Sequence, residues 1–242
     1  MAVSQGLLPF KIELTETPDP VTAWAGLPLI VEAMRALFSR RYYRKLRRAL
    51  GYTSWKVARR HLESLVVLIA SGGDHLSDLE VLRADAGLAE LLGFELSSPT
   101  QSKDFLYRFH QNEDGRPLSD EEDAELSVVG RAQIRPEGPG LRVLRDFVDG
   151  VVRVVQAIHP RRRATIDSDA TLIEAHKVEA LRTYKGFRGY QPQMSWWAEQ
   201  EVWVLDEFRD GNVPAEFEAK RYLQRTFGVL PGTVEERRLR GD

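Results

Sequence analysis

The stretch RRRATIDSDATLI, residues 161–173, places two carboxylates, Asp167 and Asp169, inside what otherwise reads as a β-strand. Alternation along a strand points both to the same face. Like charges side by side on a half-buried face cost free energy unless something compensates them. The pair therefore reads either as a metal site or as a polar strand end.

The segments downstream of this strand set the architecture. GYQPQMSWWAEQ (189–200) and EVWVLDEFRDGN (201–212) have the alternation and aromatic content of two further strands, close enough in sequence to form a hairpin. PAEFEAKRYLQRTFG (214–228) reads as a helix running from Pro214 to Gly228, and TVEERRLRGD (233–242) as a last short strand. The order is strand, strand, strand, helix, strand. Three antiparallel strands followed by a helical crossover lay the fourth strand parallel beside the first. A carboxylate late in the first strand and one at the end of the fourth then share one sheet end. Asp169 and Asp242 occupy those positions, and two carboxylates on neighbouring strands suit Mg²⁺, a hard cation that prefers oxygen ligands.

Upstream, the first 111 residues read as helical. WKVARRHLESLVVLIA (55–70) is apolar enough for a largely buried helix stopped by Gly72-Gly73. Ser77 and Glu80 have capping-box spacing, Gly93 is placed as a C-cap, and Ser98-Pro99 opens PTQSKDFLYRFHQ. Residues 113–125, EDGRPLSDEEDAE, contain seven acids and read as a solvated linker or an acidic helix start, with RPEGPG (135–140) as a second break. LRVLRDFVDGVVRVVQAIH (141–159) has the period of an amphipathic helix.

Bulk properties narrow the classes. The net charge is −2 and the sequence pI is 6.3, so any basic surface is local. There is no cysteine, which excludes disulfides and thiolate metal sites. The N-terminus lacks the pattern of a signal peptide, and the longest apolar run, Leu65 to Ala70, is far shorter than a bilayer span. No nucleotide-binding glycine loop, paired-histidine zinc motif or Gly-x-Ser-x-Gly elbow is present, and the five histidines are scattered.

Against that background, Arg35 to Arg60 holds ten Lys/Arg and no acid, with Tyr42, Tyr43, Tyr52 and Trp55 interleaved. Cations neutralise phosphates and aromatics stack or hydrogen-bond, so this is a candidate DNA-binding segment. The alternative is a solvated helix face with core aromatics. Its candidate contacts are Arg40, Arg41, Arg44, Lys45, Arg47, Arg48, Lys56, Arg59 and Arg60. Lys103 joins them if Thr100, Gln101, Ser102 and Lys103 begin a recognition helix.

The chain resembles bacterial insertion-sequence transposases with an Asp-Asp-Glu catalytic triad on a ribonuclease-H-like fold. The resemblance is carried by HLSDLEVLRADAGLAELLGFELSSPTQSKDFLYRF in the helical region and, more specifically, by DSDAT, YKGFRGYQP and EFRDGNVPA in that order. It implies an α+β or α/β protein. Residues 1–112 would be a helical DNA-binding region, 113–140 an acidic linker, and 141–242 the N-terminal part of a ribonuclease-H-like domain. It implies that the first catalytic, metal-binding Asp is Asp169 and the second is Asp242. Asp167 then either supports the ligand set or faces solvent. The implied cofactor is Mg²⁺ or Mn²⁺, and the implied partner is DNA at the terminal inverted repeats of an insertion element. A homo-oligomer, no membrane association and a cytoplasmic, nucleoid-associated location are also expected. The family's third carboxylate, a Glu on a later helix, has no counterpart here, so the expectation is a truncated, inactive transposase. The other expectation is a non-catalytic DNA-binding remnant that inhibits transposition.

Overall fold

The β-branched and aromatic residues of 163–170, 193–197 and 202–207 form strands, as their alternation predicts. A computed structural model describes residues 2–3, 12–13, 20–125 and 131–241. The chain is mixed helix and sheet, and among the described residues no helix is long and apolar enough to cross a membrane.

In chain order the elements begin with the two-residue strands β1 (Ala2–Val3) and β2 (Ile12–Glu13), which pair antiparallel. Helices α1 (Leu27–Leu37), α2 (Arg40–Ala49), α3 (Trp55–Ala70), α4 (Leu79–Arg83), α5 (Ala86–Leu92), α6 (Pro99–Tyr107), α7 (Asp120–Glu125) and α8 (Pro139–Ile158) come next. Then come β3 (Arg163–Ala170), β4 (Ile173–Glu174), β5 (Leu181–Arg182), β6 (Arg188–Tyr190), β7 (Gln193–Trp197), β8 (Val202–Glu207), α9 (Ala219–Val229) and β9 (Glu236–Arg240).

These elements fall into two compact units that do not follow chain order: residues 1–33 with 60–103, and residues 34–59 with 104–242. Helix α2 and the start of α3, with the ends of α1 and α6, thus fall in the unit that holds the sheet.

The first unit is built on leucine. Leu27, Val31, Val67, Leu68, Leu79, Leu82, Leu88, Leu92 and Leu96 form its core. Asp85 caps α5, accepting from the Leu88 N–H at 2.8 Å and from the Thr22 hydroxyl at 2.7 Å. The helix ends at Gly93, as expected. Ser98 and Gln101 form a reciprocal capping box at α6 (3.2 and 3.0 Å). The box expected at Ser77 and Glu80 is displaced. Asp78 instead accepts from the N–H groups of Asp74 and His75, because a short 3₁₀ turn at Leu76–Asp78 precedes α4.

In the second unit the main sheet runs β8-β7-β3-β9. β3 and β7, and β7 and β8, pair antiparallel; β9 lies parallel beside β3, with Arg163 opposite Glu236 and Asp167 opposite Arg240. The crossover that a parallel neighbour requires is supplied by α9. It begins at Ala219, five residues later than its Pro start signal, after a run of turns ending in Glu218 at φ 51°. A second departure is the small antiparallel sheet β4-β6-β5, formed between the first two main strands.

One face of the main sheet is covered. Val152 of α8 packs with Ala164, Ile166, Trp197 and Val204, and Tyr222 of α9 donates to the Leu205 carbonyl at 3.1 Å and accepts from Ser195 at 3.0 Å. Burial pushes the Tyr222 hydroxyl up to about 12. A bulge at Val204 turns Val204 and Leu205 both to the covered side. Pairing and alternation put Asp167, Asp169, Trp196 and Trp203 on the opposite face.

Within the acidic stretch no residue from 113 to 125 is buried, and Asp120–Glu125 form the acidic helix α7; the described residues beyond it are tied down. Residues 132–137 are half-buried, and Glu137 accepts from Arg145 and Arg225. Arg135 bridges Asp123 and Asp210. Residues 126–130 lie outside the described residues.

Candidate nucleic-acid interface

Two places in the second unit gather the side chains that the sequence singles out. The first is the end of β3. Asp167 accepts two bonds from Arg240 of β9, both at 2.6 Å, and this pairing holds its carboxyl below the usual carboxylate range. An arginine meets the cost of its charge on the strand, so Asp167 is a polar strand end. Asp169 is exposed and makes no ion pair among the described residues. Asp242 lies outside the described residues; Gly241 before it runs against the Ser168 carbonyl. Among the described residues no group of three or more His, Cys, Asp or Glu is placed to hold a metal ion. Of the two described carboxylates on β3, Asp169 is the one not paired with an arginine, and carboxylate oxygens are the hard donors that Mg²⁺ prefers.

The high charge of the last strand also has a local explanation. Within the described sheet β9 lies at the edge, and its residues from Arg237 to Arg240 are exposed. Its charges are matched across the pair: Arg163 with Glu236 at 2.6 Å, Arg240 with Asp167.

The second place is α2 and the start of α3. In α2 the sequence RRYYRKLRRA buries only Tyr43 and Leu46, so most of its cations stand on the solvent side. Arg44, Arg47 and Arg48, with Thr53, Ser54 and Trp55, line an open depression of about 380 Å³. Arg47 is oriented by hydrogen bonds to the carbonyls of Tyr52 (3.3 Å) and Thr53 (3.5 Å). Ser54 caps α3, accepting from the Lys56 N–H at 3.2 Å. The depression therefore sits at the positive end of a 16-residue helix. The guanidinium groups of Arg40 and Arg59 stand 5.0 and 5.3 Å from the Trp55 ring centroid. Arg44, Arg47 and Arg48 make no ion pair among the described residues, so three cations converge without a compensating carboxylate. Neither a family model, nor a curated protein, nor a solved structure matches this chain.

Other residues of the basic segment have different roles. Lys45 is paired with Asp146 at 2.9 Å. Arg41 and Lys56 are exposed outside the depression. Arg60 and Lys103 belong to the first unit, on α3 and α6. The recognition-helix reading of α6 loses two of its four residues: Ser102 is wholly buried, and the Gln101 carboxamide is used in the cap. Three of the four interleaved aromatics are packing residues. Tyr43 is buried, and Tyr42 donates to the Val143 carbonyl beside the stacked Phe38 and Phe147 rings. Tyr52 lies under Arg108, at 4.3 Å, and beside Phe105. Burial, reinforced by Asp146, pushes the Tyr42 hydroxyl far up, which suits a phenol committed to a carbonyl. Of the four, Trp55 alone lines the depression. Thr53 and Ser54 were not singled out in the sequence; their signal is the Thr-Ser cap immediately before a long helix.

Proposed function

We propose that this chain binds DNA as part of a transposase of the Asp-Asp-Glu type, with the α2–α3 arginines gripping backbone phosphates and the β-β-β-α-β sheet being the first part of a ribonuclease-H-like domain. The observation that carries this reading is the strand order β8-β7-β3-β9, with β9 parallel to β3 and Asp169 near the β3 terminus on that sheet end. Asp169 is the proposed first metal ligand and Asp242 the second. A divalent ion bound there would supply Lewis-acid activation of water or a 3′-hydroxyl for attack on a phosphodiester. The chain's own contribution is to hold the duplex. Arg44, Arg47 and Arg48 neutralise phosphates, and the α3 N-terminus adds a favourable field.

Binding by fluorescence anisotropy with a labelled duplex, across a KCl series, tests the DNA reading. Three phosphate contacts predict a log–log salt slope of roughly −2.7. No salt-sensitive binding would end it. Titration with Mn²⁺, followed by electron paramagnetic resonance, tests the carboxylate assignment: the wild type should bind the ion and Asp169→Ala should not.

The second reading, DNA binding without catalysis, is favoured by one specific observation. Asp167 is committed to Arg240 and no described carboxylate cluster surrounds Asp169. Salt-dependent binding without Mn²⁺ binding or metal-dependent nicking would select it.

A further inference from the structure

YKGFRGY, residues 184–190, is part of the resemblance but has no role at the end of β3 or in the α2–α3 depression. In the structure it forms the tip and second strand of the β5–β6 hairpin. The Thr183 N–H donates to the Phe187 carbonyl at 2.8 Å, and the Gly186 N–H to the Thr183 carbonyl at 2.9 Å. Gly186 has φ +90°, the left-handed position that closes a three-residue hairpin loop and that a side chain would strain. The Arg182 guanidinium crosses the turn to the Gly186 carbonyl at 2.8 Å. Tyr184 and Lys185 therefore occupy the two corners of a braced turn.

The base of the hairpin is braced as well. Arg188 donates to the carbonyls of Val178 and Ala180, Tyr190 bridges to Asp210, and Tyr190 packs on Phe208 at 5.0 Å. Gly211 is so close to the hairpin backbone that an added Cβ would lie 2.5 Å from the Gly189 carbonyl oxygen. The element does not swing freely; it is clamped against the segment that follows β8.

Such a clamp holds an aromatic ring in water. Tyr184 is 75% exposed and makes no hydrogen bond among the described residues. Beside it, Arg182 and Lys185 are exposed and have no carboxylate partner among the described residues. A single exposed aromatic is ordinary. One carried on a rigid turn beside two cations without a carboxylate, Lys185 with its Nζ 5.9 Å from the ring centroid and Arg182 bonded to the Gly186 carbonyl, has the chemistry that recognises a nucleotide: a π-face for the base and cations for the flanking phosphates. Topology places it at the relevant end of the sheet, since the insert leaves β3 just after Asp169 and returns to β7, whose Gln193 pairs with Ala170.

We infer that the β5–β6 hairpin is a single-strand contact in which Tyr184 stacks on an unpaired base and Arg182 and Lys185 hold the adjoining phosphates. The inference rests on the proposed DNA binding and extends it to the state of the DNA bound near Asp169, a locally unpaired strand.

The test uses the full chain and a single-stranded oligonucleotide carrying 2-aminopurine, whose fluorescence falls when it stacks on an aromatic ring. The wild type should bind and quench it. Tyr184→Ala should bind about ten-fold more weakly and not quench, and Tyr184→Phe should restore both. Lys185→Gln should weaken binding and keep the quench. Because the ring is exposed, a thermal melt should be the same for all four chains. If a Tyr184→Ala melt fell, quenching by Tyr184→Phe and Lys185→Gln would still decide. Wild-type binding and quenching by Tyr184→Ala would overturn the hairpin assignment. If the labelled duplex still bound and lost affinity on Arg44→Glu, the DNA reading would survive that result. If the wild type bound neither duplex nor single strand, both readings would fall together.

Discussion

Two groups of arginines in the second unit use the same side chain in opposite ways. At the end of β8, Arg209, Arg221 and Arg225 converge on Glu207, whose side chain is 3% exposed. Arg209 is wholly buried, and its Nη1 also donates to the carbonyls of Pro214 and Ala215 at 3.2 Å. Arg225 also reaches Glu137 at 2.8 Å. On α2, Arg44, Arg47 and Arg48 converge on open solvent with no carboxylate. Burial makes the difference. A guanidinium removed from water must be paired and hydrogen-bonded, so buried Arg209 and Glu207 are committed to the fold, with the partly exposed Arg221 and Arg225 completing the pairing of Glu207. Cations left in water together repel one another mildly and remain available to an anion. The first group should therefore matter for stability and the second for binding.

The largest effect expected is from Glu207→Ala, which leaves the buried Arg209 without its carboxylate and removes one partner from Arg221 and Arg225. Loss of about 3–5 kcal/mol in chemical denaturation is the magnitude for breaking a buried pair. A loss below about 1 kcal/mol, the range of an exposed pair, would show that the cluster is not a structural anchor.

The double change Arg44→Glu, Arg48→Glu is the mirror experiment. Unfolding free energy should stay within about 0.5 kcal/mol of wild type, as for surface substitutions. Duplex affinity at low salt should fall by a factor on the order of 100, and the salt slope should shrink by about 1.8 for the two lost contacts. Equal effects on stability and binding would erase the contrast.

Acid should dismantle the first group selectively. Burial raises the Glu137 pKa, but hydrogen bonds from Arg145 and Arg225 outweigh it, and the folded value is lowered. A lowered folded pKa gives stability that is complete above the unfolded carboxylate value of about 4.3 and is lost as pH falls through the folded one. Asp210 acts with the opposite sign: burial raises its pKa despite Arg135, so its contribution favours the folded state at low pH and is lost as pH rises. Urea midpoints measured from neutral pH down through the carboxylate range should fall on the acid side, and Glu137→Gln should flatten that fall. An unchanged acid limb in the variant would remove Glu137 from the explanation.

The smallest effect belongs to the exposed pair. Asp167→Asn, which breaks the bidentate contact with Arg240 on a solvent-facing edge, should cost about 0.2–1 kcal/mol in the same denaturation assay. A cost of several kcal/mol would show that β9 depends on that pair for its register.

The contrast between the arginine groups also shows where local reading stops. Both groups are runs of cations near aromatics in the sequence, RRYYRKLRR and, more diffusely, EFRDG with AKRYLQR. Only the first announces itself, because its arginines share one helix. The second is assembled from Glu137, Glu207, Arg209, Arg221 and Arg225, drawn from separated segments, and no spacing rule connects them. For the same reason the ion pairs that Asp123, Arg135 and Glu137 make within the unit are not visible in the sequence. The Asp167–Arg240 contact spans 73 residues and becomes visible only once β9 is registered against β3.

Periodicity carries the local elements well. α3 covers Trp55–Ala70 as its apolar pattern and glycine stop indicate, α8 covers Pro139–Ile158, and the β7–β8 hairpin forms where two alternating runs adjoin. The mixed helix-and-sheet class and the parallel placement of the last strand beside the first are legible at that level, because side-chain alternation, caps and crossover handedness are short-range or topological constraints. Which charges are buried and paired and which are left to solvent is not legible in this way. Nor are the assignment of α2 to the sheet unit, the edge position of β9 and the clamped exposure of Tyr184. Each depends on which surfaces meet in three dimensions, since desolvation and pairing are properties of a packed neighbourhood rather than of a residue or its neighbours in the chain.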